Sequence, residues 1–152
     1  MKVSDWIVQY PSPPVTVAPK TPMPEIAKRF LSYPKLRDLY VISSEGIILG
    51  HVRHRRLAQI MLAEHLPIQN RSQILERISI GPANEIMEGD FVTARLNEEL
   101  DNVLNRMLEY QVEDMPVLNE ENKFAGSINL TDVLGATLEI GIESLNGHSL
   151  TH

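Results

Sequence analysis

The chain contains no cysteine among its 152 residues, which excludes disulfide stapling, thiolate chemistry and cysteine-ligated zinc. It also lacks any run near the roughly 18–20 apolar residues that a membrane-spanning helix requires. The first residues, Met1 to Tyr10, carry charge and no long apolar stretch, so no signal peptide is expected. With cysteine absent, cytoplasm is the expected compartment. Aromatic residues make up only 5%, with a single tryptophan, so the core must be mainly aliphatic. No glycine-rich phosphate loop and no ordered Ser-His-Asp set occurs, and an enzyme is not expected. What is present is 43% hydrophobic residues, enough for one compact core or for two small units sharing one.

The net charge of −6 is unevenly spread. Met1 to His65 holds 9 Lys/Arg against 5 Asp/Glu, whereas Pro82 to Ile142 holds 3 against 13. Such asymmetry bears on association rather than on fold. In a homodimer, a head-to-tail arrangement would set each basic half against an acidic one, and a head-to-head arrangement would juxtapose like charges. Screening over about 8 Å at physiological salt makes this a bias only. Nucleic acid is not an expected partner, because the overall charge is acidic and no docking motif occurs.

The chain repeats itself. Asp38-Leu39-Tyr40-Val41-Ile42 lies over Asp114-Met115-Pro116-Val117-Leu118 at an offset of 76, and the same offset places Glu45 on Glu121 and Gly50 on Gly126. Each copy reads as a short β-prone run (Val15 to Val17, Phe91 to Ala94), an amphipathic helix, two strands joined by a polar turn, and a closing helix. Leu100, Val103, Leu104, Met107 and Leu108 mark one helix face in the second copy, with Asn97 as N-cap. Ile26, Ala27, Phe30 and Leu31 do so in the first, where Thr21 can cap and Pro22 fits the first helical position. The closing helices are expected from about Arg55 to Glu64, with Leu57, Ile60 and Met61 inward, and from about Leu130 to Leu138, with Val133, Leu134 and Leu138 inward. The reading is an α/β (α+β) chain of two β-α-β-β-α repeats, 1–65 and 82–142, packed sheet to sheet over a common core. Residues 66–81 form a linker with a short helix, and 143–152 a disordered tail.

With this duplication in view, the sequence resembles a tandem pair of CBS domains, the repeat named after cystathionine β-synthase. Glu85-Ile86-Met87 followed by Phe91-Val92-Thr93 resembles the family's opening segment. Asp114 to Leu118 resembles its central strand, and Gly126-Ser127-Ile128-Asn129-Leu130-Thr131-Asp132 its closing Gly-hydrophobic-Thr-x-x-Asp signature. The likeness covers about Val3 to Glu139 and is weaker in the first copy. It implies a regulatory module that binds an adenosine-containing ligand (AMP, ADP, ATP or S-adenosylmethionine) in the cleft between repeats, modulates a partner protein and pairs into a homodimer. A protein-interaction or dimerisation module with no nucleotide bound stands beside it.

The resemblance places a ribose-binding carboxylate at Asp132, and an acceptor-only carboxylate suits two vicinal hydroxyls. Val112, Met115, Pro116 and Val117, with Val92 and Thr93 opposite, could form an adenine slot. Asn129 and Thr131, at the start of a helix, could meet phosphate. Asn129 departs from the family's Thr or Ser. Asn129-Leu130-Thr131-Asp132 also has the spacing of a capping box, so a purely structural cap is a real alternative. In the first copy Arg53 and Arg56 replace Asn129 and Asp132; a guanidinium has no acceptor, so these arginines, with Arg55, read as phosphate ligands reaching across the cleft or as a solvated helix start. His51, His54 and His65 have no further ligand at a metal-binding spacing and read as surface histidines. Trp6 and Tyr10 could stack on a base or anchor a dimer but read first as packing aromatics, and Tyr10-Pro11-Ser12-Pro13-Pro14 reads as a stiff lead into the first strand.

Overall fold

The structure, a computed structural model, describes residues 1–62, 72 and 81–150. Each half carries one three-stranded sheet. In the first, β1 (Thr16–Val17) runs parallel to β2 (Asp38–Ile42), which pairs antiparallel with β3 (Ile48–Arg53). In the second, β4 (Ala94–Arg95), β5 (Asp114–Leu118) and β6 (Phe124–Asn129) repeat this order and sense. Even the irregularities match: the ladder slips between Val41 and Ile42 and again between Val117 and Leu118. Both hairpin turns are built alike. The Ser43 hydroxyl accepts the amides of Glu45 and Ile47, and the Asn119 side chain accepts those of Glu121 and Lys123. Gly46 and Asn122 take the left-handed conformation these turns need (φ +86° and +62°), as small or amide residues do most readily.

The crossover helices α2 (Met23–Ser32) and α5 (Leu100–Tyr110) bury matching stripes, Met23/Ile26/Phe30 and Leu100/Val103/Met107. Each also ties its own first strand down through an arginine on the same turn. Arg29 donates to the carbonyls of Pro14 and Thr16, and Arg106 to that of Thr93 at 2.8 Å. The caps differ from expectation. Pro22 and Glu99, not Thr21 and Asn97, precede the helices, and neither offers a side-chain cap bond. Leu31 and Leu108 are exposed rather than inward.

The buried apolar residues form two clusters instead of one common core, and each is completed by a helix from the other half. Helix α1 (Val3–Gln9) inserts Val3 and Trp6 into the second cluster. Helix α4 (Ala83–Ile86) inserts Ala83 and Ile86 into the first. The exchange has matched hydrogen bonds: the Val3 amide donates to the Glu98 carbonyl at 3.0 Å, and the Ala83 amide to the Thr21 carbonyl at 2.8 Å. Chain boundaries at 65 and 82 therefore do not separate the two cores. A unit of about 60 residues buries too little surface alone; trading lead-in helices makes each half part of the other.

The closing helices are α3 (His54–Leu62), with Leu57 buried, and α6 (Leu130–Leu150). Helix α6 continues well past the expected end near Leu138 and through most of the expected disordered tail. Val133 packs against the second core, but Leu134 and Leu138 are exposed, contrary to the expected inward face. The expected linker helix, with Ile74, Leu75 and Ile78, lies outside the described residues.

Candidate functional site

Two clefts lie between the halves, one on each side of the central strands. The sheet geometry decides what faces them. Alternate residues of β5 point oppositely, so Met115 and Val117 enter the second core while Asp114 and Pro116 face the seam. The expectation that Met115 and Val117 line a ligand slot is thus corrected by strand parity.

The first cleft, of about 440 Å³, joins the Tyr10–Pro13 lead-in and the Ser32–Leu36 loop to Asp114, Ser127, Asn129 and Asp132. Tyr10 is held by stacking on Trp6, with ring centroids 4.1 Å apart. Tyr33 and three prolines supply further flat apolar wall. Asn129, buried at 7% exposure, ends β6 and caps α6: its Oδ1 accepts the amides of Thr131 (2.9 Å) and Asp132 (3.3 Å). Its Nδ2 donates to Asp114 Oδ1 at 2.6 Å and to the Lys35 carbonyl at 3.2 Å. Asn129 is therefore a cap, as the structural alternative held, but Asp132 is not the other half of a capping box. Asp132 Oδ1 accepts Lys35 Nζ at 2.7 Å across the cleft. A carboxylate has about four lone-pair sites, so it can hold the lysine and still accept a hydroxyl.

The second cleft, of about 540 Å³, is the pseudo-symmetric counterpart. Here the Glu88–Val92 lead-in meets Tyr110 and Val112, and the first half contributes Asp38, His51 and Arg53. Arg53 is already engaged, forking onto Glu88 through Nε–Oε1 and Nη2–Oε2 bonds of 3.0 Å each. His51, read from sequence as a surface residue, is buried at 6% exposure, with Nδ1 2.8 Å from Asp38 Oδ2. Its own strand and the lead-in cover it, through reciprocal backbone bonds between His51 and Glu88.

The predicted residues thus divide between two sites. Asn129 and Asp132 belong to the first cleft, and Val92, Val112, Pro116 and Arg53 to the second. Thr93, Thr131 and Arg56 line neither: the Thr93 carbonyl holds Arg106, the Thr131 amide is bound by the cap, and the Arg56 Nε is buried without a hydrogen-bond partner among the described residues. Sequence reasoning ranked Tyr10 as packing first and missed Tyr33 and Lys35 as cleft residues, and the buried trio Asp38, His51 and Asp114.

That trio sits at the seam. Burial, with the nearby Asp38 charge adding to it, raises the Asp114 carboxyl to about 6, against the hydrogen bonds from Asn129 and the Arg37 amide. Burial likewise raises Asp38, opposed by the bond and charge of His51. For His51, burial acts to lower the imidazole, but Asp38, the Asp90 backbone and Glu88 together outweigh it, and the net shift is upward. Tyr40 lies fully buried beside both carboxylates, its hydroxyl without a partner among the described residues; burial first, then those two charges, hold it well above its ordinary range.

A family model described as CBS domain matches the chain twice, over residues 3–63 and 83–139. Among solved structures, the chain is similar to a CBS domain-containing protein from Thermotoga maritima at 25% identity and TM-score 0.69, covering 91% of this chain and 95% of that one. It is similar in fold to a CBS-domain containing protein from Agrobacterium tumefaciens (21% identity, TM-score 0.70, 90% and 99% covered). The CBS domain pair of protein MJ0100, in complex with 5′-methylthioadenosine and S-adenosyl-L-methionine, also shares the fold (20% identity, TM-score 0.67, 90% and 99% covered). No curated protein matches the chain.

Proposed function

The chain belongs to the CBS domain family, which matches both of its halves, and we propose that it is a non-catalytic regulatory module that takes an adenosine-containing ligand in the Asp132 cleft and modulates a partner protein in the cytoplasm. The observation that carries this reading is the meeting of Asp132 with flat walls of tyrosine and proline in a cavity of about 440 Å³. A ligand pocket of this class runs to roughly 300–1,000 Å³ with a few placed polar groups. Asp132 is placed to accept ribose hydroxyls, Tyr10 or Tyr33 to cover a purine face, and Lys35 to meet an anionic tail.

Charge narrows the ligand class. In the second cleft Asp38, Glu88, Asp90 and Asp114 face Arg53 alone among the arginines and lysines, and Arg53 is committed to Glu88. The phosphate role considered for Arg53 therefore requires breaking a bidentate pair, and Arg56 lies outside the cleft. Polyphosphates are disfavoured here by like charge. In this second cleft a neutral or cationic adenosyl compound ranks ahead of ADP or ATP, whereas the Asp132 cleft, where Lys35 can meet an anionic tail, sets no such order.

Thermal shift against S-adenosylmethionine, 5′-methylthioadenosine, AMP and ATP tests the reading. A ligand at a hundredfold excess over Kd adds about 2.7 kcal/mol to stability. A shift with an adenosyl compound that Asp132→Ala abolishes supports the site. A flat response to all four, with the protein folded, refutes it.

A second reading draws on α6, where Leu134, Leu138, Ile140 and Ile142 stand exposed. Apolar helix surface of this kind marks association, and a homodimer, head-to-tail by the charge split, is the form we propose. Crosslinks joining second half to second half would contradict that arrangement.

A further inference from the structure

Asp114 lines both clefts, and it is the one residue common to their described walls. It is 5% exposed. Toward the first cleft, its Oδ1 accepts Asn129 Nδ2 at 2.6 Å, and Asn129 in turn holds the amides of Thr131 and Asp132. Its Oδ2 accepts the Arg37 amide at 2.7 Å. Toward the second cleft it faces the Asp38 carboxylate, which occupies the same position in the other repeat and is bonded to His51.

We propose that Asp114 is a positioning residue that couples the two clefts: through the Asn129 cap it sets where Asp132 stands in one, and through Asp38 it responds to charge and occupancy in the other. The ligand side of this idea rests on the function proposed above, whereas the structural link does not depend on it.

The chemistry follows from donor and acceptor counting. An ionised Asp114 offers only acceptors, and every partner it has here is a donor. A proton can take a remaining site, on the side of the Asp38 carboxylate, whose Oδ1 is buried without a hydrogen-bond partner among the described residues. The bond from Asn129 Nδ2 then loses its charge assistance and weakens, and the other end of that amide carries the first turn of α6 with Asp132. The charged and titratable groups around Asp114 are Asp38, Tyr40 and His51 from the first sheet, Arg53 at the end of β3, Arg37 and Lys35 from the loop before β2, Tyr10 and Tyr33 on the first cleft, Glu88, Asp90 and Tyr110 on the second, and Asp132 on α6. Arg53, Arg37 and Lys35 are each neutralised, by Glu88, Glu113 and Asp132 respectively. Asp38 is the like charge against Asp114, and its strength depends on His51. A second-cleft ligand that bonds His51 or Asp38 therefore changes the load on Asp114, and the cap transmits it.

The test is a pH titration of the full chain without ligand, followed by amide NMR. In the wild type, the amides of Arg37, Thr131 and Asp132 share one transition, which Asp114→Asn removes. Asp38→Asn, a change in the second cleft, lowers that midpoint at the first-cleft amides by roughly half a pH unit or more, because it removes a like charge. If Thr131 and Asp132 show no transition that depends on Asp114, or if Asp38→Asn leaves the midpoint unmoved, the coupling is overturned. Should Asp114→Asn fail to fold, the Asp38→Asn arm decides alone. With S-adenosylmethionine as probe, affinity differs several-fold between pH 5 and pH 7.5 in the wild type and is flat in Asp114→Asn. Absence of binding at either pH sinks the ligand reading only, and the amide titration still decides the coupling.

Discussion

Asp38 and Asp114 occupy one position in two copies of the same repeat, yet the two copies use it differently. In the second half the carboxylate faces a neutral amide, Asn129, which caps a helix and presents Asp132. In the first half the position of Asn129 is taken by Arg53, which leaves for Glu88, and the carboxylate turns to His51 instead. Three differences between the copies, Asn129 against Arg53, Ser127 against His51 and Asp132 against Arg56, thus separate a cleft with a lysine–carboxylate mouth from one with a buried imidazole–carboxylate pair. The backbone scaffold is almost unchanged between copies, down to the ladder slip and the turn bonds. A duplicated fold can keep its frame while its two sites diverge, because the frame is set by backbone bonds and the sites by a few side chains.

The comparison breaks most severely at the exchanged helices. Trp6 is 5% exposed and seals the second core from the first half of the chain. Trp6→Ala is expected to cost about 3–5 kcal/mol, seen in denaturant melts. Protection from hydrogen exchange should fall first in β4 to β6, although the mutation lies at residue 6; equal loss in both sheets would argue against the exchange as the organising contact.

Next come the paired glycines. A Cβ on Gly50 would meet Met87 Sδ at 2.7 Å and the Glu88 carbonyl oxygen at 2.8 Å, whereas one on Gly126 would meet only the Ile7 side chain, at 3.2 Å and beyond. A backbone carbonyl cannot rotate away, but the end of an isoleucine can. Gly50→Ala should cost about 1–3 kcal/mol and Gly126→Ala less than about 1 kcal/mol, measured by the same melts.

The seam sharpens the comparison through pH. A carboxyl raised to about 6 in the native state holds a proton that the unfolded chain has already lost above about 4. Stability is therefore highest below that window and falls as pH rises through it, by on the order of 3 kcal/mol for Asp114. His51, raised from 6.5, adds in the same sense: its contribution is present below about 6.5 and is lost as pH rises through its native value. Melts from pH 4 to pH 8 should show declining stability, and Asp114→Asn should flatten the lower part of the decline. A wild-type curve that rises over pH 4–6 contradicts this account.

The smallest effect belongs to the mouth of the first cleft. Lys35 is well exposed, so its ion pair with Asp132 is screened. Lys35→Ala should change unfolding free energy by less than about 1 kcal/mol, and a larger loss would mean that the pair closes the cleft structurally.

Much of the fold was legible along the chain. The offset of 76 that aligns Asp38 with Asp114 also aligns Ser43 with Asn119 and Gly46 with Asn122, and the turns match in the structure. The lead-in helices leave only a faint trace in the sequence. Val3, Trp6 and Ile7 share a helical spacing with Ala83, Ile86 and Met87, but runs of seven and four residues give too little periodicity to stand out. Their destination could not be read at all, since periodicity says that a face is apolar and not which core it enters. The capped start of α6 was readable from Asn129, while its length was not: Gly135 and Gly141 interrupt the pattern expected of a helix.

By itself, then, the amino-acid sequence determined the duplication, the order of elements, the turn chemistry and the position of Asp132 at a helix start. All of these depend on neighbours within a few residues, where spacing fixes geometry. Only the tertiary structure decided that each half borrows a helix from the other, that Met115 and Val117 face inward, and that the chosen site residues divide between two clefts. It also decided that Asp114, an ordinary strand residue in the sequence, lies buried against Asp38. Those outcomes depend on how two sheets meet across a pseudo-two-fold, and such pairings join residues far apart in the chain, from Arg53 and Glu88, 35 positions apart, to Lys35 and Asp132, 97 apart, that no local pattern connects.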